Sequence, residues 1–303
     1  MSHHARALRP WLSMLGAGAC SLAGAQTSDE IFADDFESCR APTQFIYAID
    51  AGNALLRFDP TALGGTPILS LGTPACSAGP PLPGWSGGTV PVSMSVDRDG
   101  NIWVLYSSGQ LFTVDPVSLA CTATSFVPQQ SGFDLFMMAF AGPGGPALQP
   151  LYIGGGSVDL LSPGKLGLID RASLQVQPVG NLTDSASYSV PLAGTGDLGL
   201  YGLYISTAST TYIREIDRTS GATFGTPLST TGMFDGNPVA WAFAFWGGKF
   251  WIFVTQQDPV TFAQSAALYS VDRATGTQQT EIASVPFSPV AAGSSTCVPV
   301  TAP

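Results

Sequence analysis

The sequence predicts an all-β protein, a β-propeller of five four-stranded blades in which the C-terminal strand completes the first blade. Three observations lead there. A strand-and-turn unit, typified by Leu268-Tyr-Ser-Val-Asp-Arg-Ala-Thr-Gly276, recurs as LLRFDPTALGG around Asp59, LFTVDPVSLA around Asp115, LGLIDRASLQ around Asp170 and YIREIDRTSGA around Asp217. These four aspartates and Asp272 lie 56, 55, 47 and 55 residues apart in chain order. Repetition at that period means stacked or radially arranged supersecondary units rather than one irregular core. Apolar residues alternate with period two, no long stretch after the leader carries the 3.6-residue helical period, and Gly (35) with Pro (24) supplies turns in number.

Taken in order, the first repeat runs from Phe45 to Leu71 and has three strands but no inner one before it. Blade two is the most legible. Pro91–Val96 is its strand A, Asp97-Arg-Asp-Gly100 a hairpin turn of residues that accept tight-turn backbone angles, Ile102–Tyr106 strand B, Gln110–Val114 strand C and Cys121–Phe126 strand D. Blade three follows over 134–180, blade four over 188–229 and blade five over 238–285. The segments PVSMSVDRDG, DLFMMAFAG, VPLAGTGDLG and PVAWAFAFWGG mix small with apolar residues, as crowding near a propeller axis favours. A fifth such segment, SPVAAGSSTC (288–297), has no repeat after it and supplies the strand that blade one lacks. Closing the ring this way removes exposed sheet edges. Residues 72–90 are rich in Pro and Gly and read as a loop, which keeps the count at five rather than six. The aromatic run Trp241, Phe243, Phe245, Trp246, Phe250, Trp251 and Phe253 alternates across a hairpin and suits packing between blades; Trp85, alone in the 72–90 loop, is the aromatic expected to be exposed. Lys165 and Lys249, the only lysines, are expected in turns.

Residues 1–25 read as a signal peptide: a polar, basic start (His3, His4, Arg6, Arg9), an apolar stretch from Trp11 to Leu22 and a small-x-small site at Ala23-Gly-Ala25. A lipoprotein signal ending at Cys20 is the alternative, disfavoured by Ala17 where a lipobox wants a large aliphatic residue. Residues 26–42 form an acidic N-terminal arm, and 43–303 a single propeller domain. No other run approaches the ~20 apolar residues of a membrane span. Export to the periplasm, the cell surface or the medium is therefore expected. Four cysteines remain, an even number that in an exported chain means two disulfides with three connectivities. Ring closure puts Cys297, at the end of the orphan strand, beside Cys39, just before the strand it would pair with. Cys76 and Cys121 then join the exit of blade one to the outer strand of blade two.

The segments SMSVDRDGNIWVLYSSGQLFTVD, LAGTGDLGLYGLY, AWAFAFWGGKFWIF and VAAGSSTC together resemble, in the same order, blocks of a family of exported bacterial β-propeller proteins. The resemblance spans about residues 45–298. It implies export and a repeated β fold and carries no activity with it.

Chemistry is narrowed chiefly by what is missing. His3 and His4 are the only histidines, and both leave with the leader, so a Ser-His-Asp triad, a His-ligated zinc site and a His general base are all excluded from the mature chain. The leader also removes Arg6 and Arg9 but no acid, taking the net charge from −10 to −12 and disfavouring nucleic acid as a partner. The five repeated aspartates share one context, directly after a strand, and are expected to cap their own turns. The leading expectation is thus a non-catalytic binding or scaffolding module. Its partner, a protein or a carbohydrate, would meet the propeller face at loops carrying Phe133, Asp134, Asn237 and Trp241. The first alternative is a carboxylate-based, glycosidase-like enzyme; of the four glutamates, Glu30 and Glu37 lie in the arm, Glu215 on a C strand and Glu281 on a D strand, and Asp134 is the best-placed aspartate. Calcium at Asp97, Asp99 and Asn101, whose oxygens alternate as at the start of a calcium loop, is the one cofactor considered. The second alternative is an envelope lipoprotein with no ligand.

Overall fold

The computed structural model describes residues 39, 41–142, 149–158, 164–184, 190–205 and 210–303. The expected signal peptide, Cys20 and the acidic arm up to residue 38 lie outside the described residues. In chain order, blade one contributes β1 (Ile46–Asp50), β2 (Leu55–Phe58) and β3 (Ile68–Gly72). Blade two is β4 (Pro91–Val96), β5 (Ile102–Tyr106), β6 (Leu111–Val114) and β7 (Cys121–Ala123), and blade three is β8 (Leu135–Phe140), β9 (Leu151–Gly156), β10 (Lys165–Ile169) and β11 (Val176–Asn181). Blade four is β12 (Leu192–Gly194), β13 (Leu200–Ile205), β14 (Thr211–Ile216) and β15 (Thr223–Ser229); blade five is β16 (Pro238–Trp246), β17 (Lys249–Gln257), β18 (Gln264–Asp272) and β19 (Gln278–Val285). The last strand, β20 (Pro289–Ser294), pairs antiparallel with β1 in the register Ile46↔Ser294 and Ala48↔Ala292. Among the described residues this makes five four-stranded antiparallel sheets, the five-bladed propeller that the sequence predicts, closed by its own C-terminus.

Two disulfides fasten the seams. Cys39–Cys297 joins the segments that flank β1 and β20, with Cα atoms 5.8 Å apart, and Cys76–Cys121 joins the exit of blade one to β7, at 5.1 Å. A bond that closes so long a loop in the unfolded chain contributes roughly 3–5 kcal/mol when unstrained. Residues 73–90 contain no strand and cross from blade one to blade two as a loop.

The core lies between the blades, where the faces of adjacent sheets meet. Phe58 of blade one packs edge-on against Trp251 and Phe253 of blade five, at 5.1 and 5.9 Å between ring centres, and Trp103 of blade two meets Phe140 of blade three at 6.0 Å. Nearest the axis the strands approach so closely that side chains must be small. A methyl group at Gly194 of β12 would sit 1.9 Å from the carbonyl oxygen of Phe140 on β8. The inner strands also bond laterally: Ser93 and Ser95 of β4 accept hydrogen bonds from the backbone of Met138 and Phe140 on β8, and the Ser294 hydroxyl donates to the carbonyl of Phe245 on β16.

The repeated aspartates do what their context predicts. Asp115 accepts from the backbone N–H groups of Val117 and Ser118, Asp170 from Ala172 and Ser173, Asp217 from Thr219 and Ser220, and Asp272 from Ala274 and Thr275. Those bonds, with the Thr219 hydroxyl ahead of them at Asp217, favour the charged form, so all four carboxyls are held below their ordinary range. Asp258, in the turn between β17 and β18, is built the same way although it stands outside the repeat. Two lesser expectations are corrected. Lys165 and Lys249 are the first residues of strands β10 and β17 rather than turn residues. Trp85 is half-buried against the core between blades two and three, while Phe262 and Phe224 are the exposed aromatics among the described residues.

Candidate functional site

Antiparallel order within a blade puts the A–B and C–D turns at one end of the propeller and the B–C and D–A loops at the other. The residues expected to bind a ligand belong to the second end and do not converge. Phe133 is fully buried, its ring over Gly167. Asp134 spends its carboxylate on the Gln129 side chain (3.2 Å) and the Val158 backbone (3.1 Å). Asn237 is exposed and donates to the carbonyl of Gln257, the last residue of β17. Only Trp241 lines the axial cavity, with Met94, Met137, Phe243 and Ala291 among its neighbours. That cavity holds about 20 Å³ and the one below it about 10 Å³, room for a water molecule or two and not for a sugar ring. Neither is lined by a carboxylate.

The segment considered for calcium is a closed hairpin turn. Asp97 is completely buried and accepts from the Asn101 backbone (2.9 Å), the Asn101 side chain (3.1 Å), the Trp103 indole (3.1 Å) and the Arg171 guanidinium (2.9 Å). The cation that satisfies Asp97 is therefore an arginine of the next blade. No group of three or more His, Cys, Asp or Glu is placed to hold a metal among the described residues.

The end that carries the A–B and C–D turns is richer. A cavity of about 450 Å³ opens there on blade four, lined by Tyr152, Asp197, Leu198, Glu215, Arg218 and Phe224 among others. Asp197 stands in the β12–β13 turn, where its carboxylate accepts from the Thr195 hydroxyl and from both terminal nitrogens of Arg273 (3.0 and 2.8 Å). Those bonds, Arg273 first, hold Asp197 below the ordinary carboxylate range. Arg273 in turn lies over the Phe245 ring, 5.4 Å from its centre. Glu215 is on β14 directly opposite Tyr201 of β13, so the two side chains share one face of the blade. Burial nevertheless dominates: it raises Glu215 above its ordinary value, with the negative charge of Asp197 adding to the rise and Tyr201, Arg273 and Arg218 opposing it. Burial likewise pushes Tyr201 up to about 12, so its hydroxyl remains a donor at neutral pH. One cavity thus presents a carboxyl biased toward its acid form and a carboxylate biased toward its ionised form. Environments that push two carboxyls apart in this way are the usual mark of an acid paired with an anion.

Glu215 is visible in the sequence as one of two glutamates within the propeller, but its strand places it away from the axis, where propeller ligands are usually sought. Asp197 carries no local signal of its own. Its partner, Arg273, is 76 residues away, and only the fold brings the two together.

No protein-family model matches the sequence, and no curated protein is detectably similar to it. Solved structures are similar in fold. A GH43 endo-arabinanase from Bacillus licheniformis shares 12% identity at a TM-score of 0.41, covering 66% of this chain and 76% of its own. An arabinanase from Bacillus subtilis shares 9% at 0.40, covering 66% and 78%, and a sucrose-6-phosphate hydrolase from Lactobacillus gasseri 11% at 0.47, covering 84% and 67%. The expectation of a non-catalytic binding or scaffolding module is not kept, since these neighbours are named as enzymes. At such identities and scores the likeness speaks to the propeller fold alone, so any chemistry has to come from this chain's own residues.

Proposed function

We propose that the protein is a glycosidase-like enzyme that works through two carboxyl groups, Glu215 as the acid and Asp197 as the standing anion, in the blade-four cavity. The observation that carries the reading is the opposite bias of these two groups within one cavity. Cleavage of a glycosidic bond needs a proton for the leaving oxygen and a negative group facing the oxocarbenium-like charge that develops on the sugar. Glu215 supplies the proton. Asp197, kept ionised by Arg273, opposes the developing charge. The Glu215 carboxylate left by the first transfer then takes a proton from the water that completes hydrolysis. Tyr201 stands opposite Glu215 on the same face of the blade, and the exposed ring of Phe224 offers an apolar wall for a sugar face. With no histidine after residue 4, carboxyl groups are the proton-transfer groups this chain has. The same reading takes the protein to be exported: the two disulfides suit an oxidising compartment, and no helix among the described residues is long and apolar enough to cross a membrane.

The test is release of reducing sugar or nitrophenol from a panel of polysaccharides and aryl glycosides. Wild-type turnover should fall by about 10²–10⁴-fold in Glu215→Gln, the range for removing a general acid, and strongly in Asp197→Asn, with circular dichroism unchanged. Absence of turnover across the panel, or full turnover in Glu215→Gln, would sink the proposal.

A further inference from the structure

The segment that follows β20 runs across the two turns that carry the Asp197–Arg273 pair. On one side it meets the β12–β13 turn: a methyl group at Gly196, the residue before Asp197, would sit 2.5 Å from the Thr296 carbonyl oxygen and 3.7 Å from Val300. On the other side it meets the β16–β17 turn, where Gly247 and Gly248 both have positive φ (61° and 76°). The Gly247 N–H donates to the Pro299 carbonyl at 2.8 Å, and a methyl group at Gly248 would lie 3.3 Å from Thr301 and Ala302. The Gly248 carbonyl in turn accepts from the Arg273 backbone at 2.9 Å. One segment thus buttresses the turn that presents Asp197 and the turn on which Arg273 rests. Its anchor is covalent: Cys297 is bonded to Cys39, and Val298 beside it is buried in the core. The Arg98 guanidinium, buried in the β4–β5 turn, donates to the Cys39 sulfur at 3.6 Å. A cation beside a sulfur favours the thiolate, and stabilising the reduced form makes a disulfide easier to open.

Resting on the reading of Asp197 as the standing anion, we infer that residues 296–302 are a strap that holds the Asp197–Arg273 pair in register, and that the Cys39–Cys297 bond is the redox switch that keeps the strap in place. A dithiol reductant, small or protein, opens it. One thiolate of the reductant attacks a sulfur of the Cys39–Cys297 bond, and its second sulfur then resolves the mixed disulfide. Two electrons and two protons pass to the protein, leaving two cysteine thiols there and a disulfide in the reductant. The strap is then held by noncovalent contacts alone. The backbone bonds at Gly247 and Arg273 open more often, and Asp197 spends part of its time without its two-pronged partner. The site is thereby tied to the redox state of its surroundings.

The oxidised and the dithiol-treated chain are compared by amide hydrogen exchange and by carboxyl-carbon NMR of Asp197, with differential alkylation reporting which cysteines are free. Opening of Cys39–Cys297 should speed exchange at Gly247 and Arg273 by at least about tenfold, while the amides of β5 and β9 keep their protection. The Asp197 carboxyl should titrate at a higher pH, nearer the ordinary carboxylate range. Turnover of glycosides should fall by about 10²-fold, as misplacing a reacting group by about 1 Å does. Cys39→Ser with Cys297→Ser should behave as the reduced chain, and Cys76→Ser with Cys121→Ser as the oxidised one. If the first double variant does not fold, deletion of residues 299–303 with both disulfides intact gives a second reading: it removes the Pro299 carbonyl and should produce the same changes at Gly247, Arg273 and Asp197. Exchange and titration that ignore the opening of the bond, or that respond equally to loss of Cys76–Cys121, would overturn the inference, as would a Cys39–Cys297 bond that yields to dithiol only once the chain has unfolded. Changes at Asp197 without hydrolysis of any glycoside would keep the strap and remove the hydrolase reading. Hydrolysis indifferent to the state of the bond would do the reverse.

Discussion

The turns of blade two and blade four use the same device to opposite ends. In each, an aspartate in the A–B turn takes the arginine of the following blade's Asp turn. At Asp97 the aspartate is wholly shielded from water and Arg171 nearly so, with side-chain exposures of 0% and 15%, and every acceptor direction meets a donor. At Asp197 the corresponding exposures are 40% and 26%, so the pair is open to solvent, and an acid with a raised pKa stands beside it. The difference is one of surroundings rather than of partners. A sealed ion pair whose carboxylate is fully hydrogen-bonded is a fastener between blades. The same pair left open beside a carboxyl that burial biases toward its acid form becomes an electrostatic setting for chemistry.

The largest effect should come from breaking the sealed pair. Asp97→Ala strands the Arg171 cation and the Trp103 indole N–H in the core, a loss expected to cost about 3–5 kcal/mol. It should be read as a lowered midpoint in urea with an unchanged slope. A cost below about 1 kcal/mol, the range of exposed pairs, would mean that the interface relaxes around the vacancy and that sealing does not distinguish the two sites. Arg273→Ala, by contrast, should cost only about 0–1 kcal/mol, since half-exposed pairs are screened and their partners rehydrate. Raising salt to about 1 M, where the screening length falls to about 3 Å, should shrink the Arg273→Ala effect and leave the Asp97→Ala effect nearly intact. A salt response of equal size at both sites would remove the contrast.

The frame was readable for a local reason. Each blade repeats an alternating C strand that ends in Asp and a turn, and the turn chemistry needs no tertiary context: Asp115, Asp170, Asp217 and Asp272 bond backbone groups two and three residues on. Ring closure was readable because the orphan strand ends in Cys297 and the first blade begins near Cys39. The candidate site was not readable, because its parts come from different blades. The Asp-Arg dipeptide recurs in three repeats with similar local sequence, yet its arginine meets a buried Asp97 in one case and an exposed Asp197 in another. What each arginine does is decided by the blade before it, some 75 residues earlier in the two paired cases. Phe133 was misread for a similar reason: its loop position suggested a ligand contact, whereas Gly167, on a strand of the same blade, leaves a slot that its ring fills.

The smallest effect, and the one most specific to the open site, is in the pH dependence of stability. Glu215 is raised in the folded protein, so its contribution is fully present below the ordinary value of 4.5 and is lost as pH rises through the higher folded value. Asp197 is lowered, so its contribution is present above the ordinary carboxylate range and is lost as pH falls through its depressed folded value. The two opposing slopes belong to neighbouring side chains and can be separated by substitution. Glu215→Gln should raise the melting temperature at about pH 7, where the native carboxyl is being forced to ionise in a partly buried place, and the gain should vanish at about pH 4, where the native group is protonated. Asp197→Asn should do the reverse, lowering the melting temperature at neutral pH and losing that effect as acid neutralises the native carboxylate. Asp115→Asn is the control, because its carboxylate is also lowered but by its own turn, with no carboxyl neighbour of opposite bias. If Glu215→Gln gave the same small loss at both pH values, Glu215 would be an ordinary surface acid. Blade four would then hold a second fastener, merely less well sealed than the one at Asp97.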